Sequence, residues 1–361
     1  MAAVTTHPHV VVRAARPGEG PGIAALWREL WDAHEGWGGY AGRRDALVYT
    51  QLGTRLDEDA RVRGGQPILG RHIHLVAALD GVLAGQVEGW FERQGVDVQT
   101  PYTCEVRSLI VSSWARGSGV GAALLEGLAS AASTMTRGGG LVLSAEVLEP
   151  NPAHAFYAKL GFLPVSWSLR VASDRSATVP ASARPSPPDH FTARRAEPRD
   201  ALAMCILDAT LAARRRDLGD VRYDRPRAVD ASTVGALAAL LDESTLEGTL
   251  PGPTTELVTV DGNGRVRASA TFAVTTLDPP FVAAFRSVLG RFAVDAALPA
   301  GPLVVPLIAL AKRLAAQGTA EALELTELSP PGTPLHVAGV VSGGSPWSRI
   351  LTKFISPRAQ S

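Results

Sequence analysis

Hydrophobic and polar positions change period several times along this chain, and the succession occurs twice. Residues 10–13 form a short β-type run, and behind Pro17 the apolar Ile23, Leu26, Trp27 and Leu30 recur at helical spacing. Residues 72–79 and 82–91 are strand-like and flank Asp80-Gly81, a pair that tolerates the positive φ of a tight hairpin. The order returns as residues 191–194, Pro198, a helix with Leu202, Cys205 and Ile206, and two strand-like runs around Asp261-Gly262. Arg13 and Arg194 stand 181 positions apart, as do Asp80 and Asp261, while Gly119 and Gly301, each ahead of a long helix, stand 182 apart. Three matches in order at one spacing predict an internal duplication.

The stretch 172–190 is rich in Ser, Ala and Pro and reads as an extended linker. A chain of 361 residues exceeds what one hydrophobic core usually supports. The expected organisation is therefore a domain at 1–171, a linker at 172–190 and a second domain at 191–361. Each half reads strand, helices, hairpin, strand, helix, strand, helix, strand. That order predicts a mixed sheet flanked by helices, an α/β (α+β) fold in tandem.

Charge narrows the partners. The 35 basic and 35 acidic side chains cancel, leaving no overall field for nucleic acid or an anionic membrane. Cys104 and Cys205 are the only cysteines and neither belongs to a CxxC pair, which excludes a disulfide framework and argues against structural zinc. His72 and His74 share a strand face without a third ligand near them in sequence, so no metal is expected. Residues 1–9 lack the basic patch and apolar run of a secretory signal, and the apolar run 302–311 is short and interrupted by Pro306. A cytoplasmic protein with no nucleic-acid or membrane partner is the expectation.

Candidate chemistry concentrates after residue 104. A strand from Glu105 to Val111 leads through Ser112 to Ala115 into Arg116-Gly117-Ser118-Gly119-Val120-Gly121, and a helix follows with Val120, Leu124, Leu128 and Ala132 on one face. Alternate glycines let the backbone approach a ligand and turn several N–H groups one way. Unsatisfied amides and the helix dipole favour an anion there, and the Arg116 fork suits a diphosphate. A glycine turn that merely packs helix on strand is the plainer alternative. Gly121-Ala122-Ala123 lacks the Lys-Ser/Thr of a Walker loop. Gly117-x-Gly119-x-x-Ala122 fits a dinucleotide fingerprint, yet Ser112 to Arg116 separate it from its strand and a helix and hairpin precede it.

A strand at 141–147 leads to Asn151-Pro152, a good cap and first helical position, and Gly161 suits the residue past the end of a two-turn helix carrying Phe156 and Tyr157. Arg116-x-x-Gly119-x-Gly121 followed by Asn151-x-x-x-Ala155-x-Tyr157-x-x-x-Gly161-Phe162 resembles the GNAT superfamily of N-acetyltransferases over about residues 10–171. The resemblance implies a mostly antiparallel sheet whose strands part to admit the pantetheine arm of acetyl-CoA or another acyl-CoA. Backbone groups of Leu109 and Val111 would pair with the arm, and the amides of Arg116, Gly117, Ser118, Gly119, Val120, Gly121 and Ala122 would hold the pyrophosphate. Asn151 would position the arm, Tyr157 would act as general acid for the thiolate, and Glu105 as base. Backbone N–H groups near Val111 would polarise the thioester carbonyl. The implied function is acyl transfer to the amine of a small molecule; an acyl-CoA-binding scaffold and a dinucleotide oxidoreductase are the alternatives, and a homodimer is left open.

Carried 181 or 182 positions on, Arg116 falls on Ala297 or Leu298, Asn151 on Gly332 or Thr333, and Tyr157 on Ala338 or Gly339. Pro299 and Pro302 lack the amides that would bind phosphate. The second half thus resembles a GNAT-like domain that keeps the fold and has lost the site. Trp27, Trp31, Trp37 and Tyr40 cluster around the first helix and the glycine-rich loop after it, where the family builds its acceptor site. Trp27 reads as core packing, Trp37 and Tyr40 as an aromatic wall, and Asp32, His34 and Glu35 as groups able to meet a cationic amine.

Overall fold

The structure is a computed structural model describing residues 9–93, 102–136, 138–172, 191–217, 220, 229–246, 254–276, 285–317, 320 and 322–356. The expected linker lies outside these residues except for Ala172, the last residue of a strand.

The first half runs β1 (Val10–Arg13), α1 (Gly20–Gly36), α2 (Ala46–Arg63), β2 (Ile68–Leu69), β3 (His72–Leu79), β4 (Val82–Arg93), β5 (Tyr102–Val111), α3 (Val120–Ser133), β6 (Leu141–Leu148), α4 (Ala153–Lys159) and β7 (Leu163–Ala172). The second runs β8 (Thr192–Arg195), α5 (Ala201–Asp217), α6 (Ala231–Leu246), β9 (Thr254–Val260), β10 (Val266–Thr276), β11 (Phe285–Val294), α7 (Ala300–Gln317), β12 (Ala322–Leu328), α8 (Pro334–Val341) and β13 (Gly344–Ile355). Apart from the two-residue β2, the orders are identical. Among the strand pairs whose register is described, pairing is antiparallel except in β5–β6 and β11–β12.

The duplication extends to an ion-pair clamp. Arg13 forks onto Glu19 at 2.8 and 2.5 Å, and Glu19 also accepts the Arg16 amide at 2.7 Å. Arg194 forks onto Asp200 at 2.6 and 2.9 Å, and Asp200 accepts the Glu197 amide at 2.8 Å. Burial alone would raise both carboxyl pKa values, but the hydrogen bonds from arginine and amide outweigh it and lower them. All three members repeat at the spacing the turns predict.

In the first unit α3 lays Val120, Leu124, Leu128 and Ala132 into a core with Ile73, Leu75, Val87, Cys104 and Leu143. On the other sheet face α1 and α2 contribute Ile23, Leu52, Leu56 and Ala60 against Val76. β4 and β5 slip register: Glu88 faces Ser108 while Gly89 faces Val106, so Arg107 bulges. Val106 and Leu109 consequently both face the α3 core, and Glu105 and Ser108 share the opposite face with Gln86, Glu88 and Trp90.

Two expectations change. The chain divides into a unit of residues up to Leu163 together with Leu351 onward, and a unit of Pro164 to Ile350 interrupted near residue 280. β7 therefore belongs with the second unit, where Leu169 and Val171 enter the core beside Leu325, and the end of β13 follows β6 in the first unit, burying Leu351. A cut at 171 assigns each strand to its neighbours in sequence, whereas the cores exchange them. Second, α7 continues through Pro306 to 18 residues, long and apolar enough by composition to cross a membrane. Leu303, Val304, Leu307, Ile308 and Ala311 of that helix are buried in the core of the second unit. Gly301 lies inside α7 rather than before it.

Candidate active site

β5 and β6 pair only from Tyr102–Val106 to Leu141–Ala145, although β5 runs on to Val111 and β6 to Leu148. The strands part beyond that point, and Leu109 and Val111 stand on the parted section. After a 3-10 turn at Ser113–Ala115, Arg116 is extended, and Gly117 and Gly119 take φ of 84° and 88°. Those two positive angles curl the loop so that its amides and the unpaired first-turn amides of α3, from Val120 to Ala122, can converge on an anion. Ser118 closes the curl by donating its hydroxyl to the Ala115 carbonyl at 2.6 Å. Arg116 donates Nε to the Val111 carbonyl at 3.3 Å, spanning the segment between loop and strand.

Gly121 has a different use. A Cβ there would lie 3.1 Å from Phe156 Cζ and 3.5 Å from Val111 Cγ2, so this glycine lets α3 close against α4. The plain packing reading holds for this one of the three. Pro152, not Asn151, takes the N-cap position of α4, which starts at Ala153; Asn151 Oδ1 still accepts the Ala153 amide at 2.9 Å, and Gly161 follows the helix at φ 81°. Tyr157 is buried in edge contact with Phe156 at 5.3 Å and Phe162 at 5.1 Å. Burial pushes its phenol up, so it stays protonated and a donor across the neutral range.

Glu105 is 53% exposed and paired with Arg107 at 3.3 Å, and the Arg107 guanidinium lies 4.8 Å over the Trp90 ring. The bulge joins it to a polar set that sequence reading missed. His74 Nε2 meets Gln86 Oε1 at 2.9 Å, Gln86 Nε2 donates to Ser108 Oγ at 3.0 Å, and Ser108 stands across the ladder from Glu88. Burial drives His74 down to about 4 and Glu88 up to about 7. His72 instead accepts from Arg63 at 2.6 Å. Glu29 was also missed: it accepts Ser112 Oγ at 2.9 Å and the Ser113 amide at 3.0 Å, tying α1 to the start of the loop. Polar residues at alternate positions of both hairpin strands, His72 and His74 against Gln86 and Glu88, were the available signal for the first set. Glu29 has none.

Trp27 and Trp31 stack at 5.2 Å, with Trp31 the more buried, and His34 bridges from Trp31 to Trp37 at 5.7 and 5.5 Å. Trp37 directly follows α1, and its amide bonds the last carbonyls. A Cβ on Gly39 would lie 3.1 Å from Leu148 Cδ1, which brings this loop to the open end of β6. Glu35 is paired with Arg44 at 2.9 Å. Among the described residues no three His, Cys, Asp or Glu side chains converge as metal ligands.

The antiparallel run β3–β4–β5 ahead of the glycine loop departs from the parallel sheet a dinucleotide fold requires. What remains is an α/β protein with a curled glycine loop and a helix N-terminus at the mouth of a parted parallel strand pair. Residues 26–162 match the model of the Acetyltransferase (GNAT) family. Among solved structures, a GCN5-related N-acetyltransferase from Sphaerobacter thermophilus is 15% identical, with 98% of each chain covered and a TM-score of 0.54. A glucosamine N-acetyltransferase region of a fungal multi-domain beta-N-acetylglucosaminidase is 15% identical, covering 97% of this chain and 38% of that one at a TM-score of 0.50. A tandem GNAT protein from the clavulanic acid biosynthesis pathway is 16% identical over 98% of this chain and all of that one, at a TM-score of 0.47. At such identities the likeness is one of fold. No curated protein sequence matches the chain.

Proposed function

We propose that the first unit transfers an acyl group from acetyl-CoA, or another acyl-CoA, directly to an amine of a small molecule. The observation that carries this reading is the curled loop Arg116–Gly119 at the N-terminus of α3, set where β5 and β6 part, inside the segment that matches the GNAT family. The pantetheine arm would lie along Leu109 and Val111, the pyrophosphate would take the amides from Arg116 to Ala122, and Asn151 would act by holding the start of α4. The protonated Tyr157 would hydrogen-bond the departing thiolate, and a carboxylate on the α1/α2 face of β5, Glu105 in the sequence reading, would draw the proton from the acceptor ammonium. The second unit keeps the element order but carries Pro299 and Pro302 around the start of α7 and Ala338 where Tyr157 would fall, which supports a structural role for it.

Thiol release from acetyl-CoA in the presence of a panel of primary amines, with CoA binding by calorimetry, tests the reading. Amine-dependent thiol release is expected. The core contacts of Tyr157 favour a second reading, a protein that binds acyl-CoA without turning it over. CoA binding with no thiol release to any amine would select it, and saturation by NADH but not by CoA would discard both.

A further inference from the structure

We propose that Glu88 is the general base of the acyl transfer, held by a buried relay of His74, Gln86 and Ser108. This rests on the acyltransferase reading above and assigns one of its roles to a residue the family motifs do not include. The relay has a direction. Gln86 is fully buried and His74 nearly so. With Gln86 Oε1 toward His74 and its Nε2 toward Ser108, His74 donates to Gln86 and Gln86 to Ser108. Ser108 faces Glu88 across the β4–β5 ladder, and its hydroxyl favours the ionised form of that carboxyl. His74 is kept neutral by burial, so it serves as a donor and not as a competing base.

Glu88 is placed for the work. Its side chain is 16% exposed, enough for contact at its tip, and it projects on the face away from α3, beside Ser108 and two residues from Trp90. Ser108 is the residue after the Arg107 bulge, next to Leu109 on the parted section of β5. Charged neighbours come from every side: Arg55, Asp59 and Arg63 of α2, and His72 of β3, whose Nε2 lies 4.0 Å away. Arg63 is occupied by Asp59 at 2.6 Å and by the Pro67 carbonyl at 3.0 Å. Burial outweighs these neighbours and raises the Glu88 carboxyl to about 7, where it is half ionised near neutrality and well matched to take a proton from an ammonium. Glu105, at 53% exposure and already paired with Arg107, has neither the seclusion nor the relay.

The step balances as follows. An acceptor ammonium gives one proton to the Glu88 carboxylate. The neutral nitrogen forms the C–N bond at the thioester carbonyl carbon, and the C–S bond breaks with its electron pair on sulfur. The second nitrogen proton leaves with the thiol, and Glu88 returns its own to water. Glu88 is the catalytic group; His74, Gln86 and Ser108 are positioning residues.

The test has an arm that needs no acceptor. Infrared difference spectra of the full chain should show a protonated carboxyl stretch that disappears near neutral pH, is absent in Glu88→Gln, and moves to higher pH in Ser108→Ala, which removes a hydroxyl favouring the ionised form. A Glu88 signal that titrates in the ordinary carboxylate range overturns the proposal with or without a known acceptor. With any amine that supports thiol release, Glu88→Gln should lower kcat/KM by roughly 100-fold or more and remove the acid limb of its pH profile. CoA affinity should stay within about twofold, since no relay residue touches the loop. Loss of that limb in Glu105→Gln, with the limb kept in Glu88→Gln, overturns the assignment in favour of Glu105. Failure of the acyltransferase reading registers separately, as a wild-type protein that binds no CoA.

Discussion

Gly119 and Gly121 stand two residues apart in one motif and should fail in opposite ways when each becomes alanine. Gly119 holds φ at 88° with nothing within 4 Å of the place a Cβ would occupy. The methyl group therefore clashes with nothing, and the cost is the backbone angle alone, about 1–2 kcal/mol for an L-residue on the left-handed side. The chain can relieve that cost only by turning Gly119 back, which uncurls the loop and scatters the amides. Gly121 has an ordinary φ, but its Cβ would sit 3.1 Å from Phe156 Cζ and 3.3 Å from Cε2. That contact must open by a few tenths of an ångström, a packing cost of about 1–3 kcal/mol placed on the helix that carries Tyr157. Calorimetric titration with CoA and thermal melting read the two effects. Gly119→Ala should weaken CoA about tenfold or more, the equivalent of one or two lost charge-assisted hydrogen bonds, with a melting shift of only a few degrees. Gly121→Ala should lower the melting temperature at least as much while retaining more of the affinity. Equal CoA binding by Gly119→Ala and wild type would show that the positive-φ curl does not hold the diphosphate, and the site would have to lie elsewhere.

Tyr157→Phe should cut turnover by roughly 10- to 100-fold with CoA affinity nearly unchanged, and unaltered turnover in the thiol-release assay would return Tyr157 to the core. Leu351→Ala should destabilise the first unit by about 2–5 kcal/mol in urea unfolding, although Leu351 lies near the far end of the chain; a loss below about 0.5 kcal/mol would mean that β13 does not complete that core. The buried titrating pair acts in opposite senses. His74 has a depressed folded value, so its contribution is present above the unfolded value of 6.5 and is lost as pH falls toward about 4. Glu88 has a raised one, so its contribution is present below the unfolded value of 4.5 and is lost as pH rises through about 7. Glu88→Gln should therefore gain up to about 3 kcal/mol near pH 8, and between roughly pH 7 and 5 it should expose a His74 loss of about 2 kcal/mol that the wild type masks; a less stable Glu88→Gln at pH 8 contradicts this.

Features set within a few residues were legible in the sequence. Asp80-Gly81 made its hairpin, and Asn151 placed its side chain on the first amide of α4. The duplication was legible because its markers are turns and caps, and the two Arg clamps, unread beforehand, fall on the same spacing. The exchange of β7 and β13 was not legible. Both alternate polar and apolar residues as any half-buried strand would, and nothing in such a pattern records which sheet receives the strand. Pro306 misled in the other direction: proline weakens a helix locally, but a face of Leu303, Leu307, Ile308 and Ala311 with a core to enter outweighs one absent backbone bond.

The proposed base escapes the sequence for a related reason. Family spacing points to Glu105, and an unbroken β5 would turn residues 104, 106, 108 and 110 to one face and Glu105 to the other. The bulge at Arg107 ends that parity, so that Val106 and Leu109 both serve the α3 core while Ser108 crosses to the side of Glu88. One extra residue thus does two things. It keeps the apolar face of β5 continuous, and it delivers a hydroxyl to the end of a buried line that begins at His74. A bulge leaves no mark in hydrophobic periodicity when the residue that slips is an exposed arginine, since polar positions on either side of it read alike. The residues proposed for proton transfer therefore become visible only in the register between β4 and β5, where the secluded carboxyl of Glu88 on β4 stands across from Ser108 on β5.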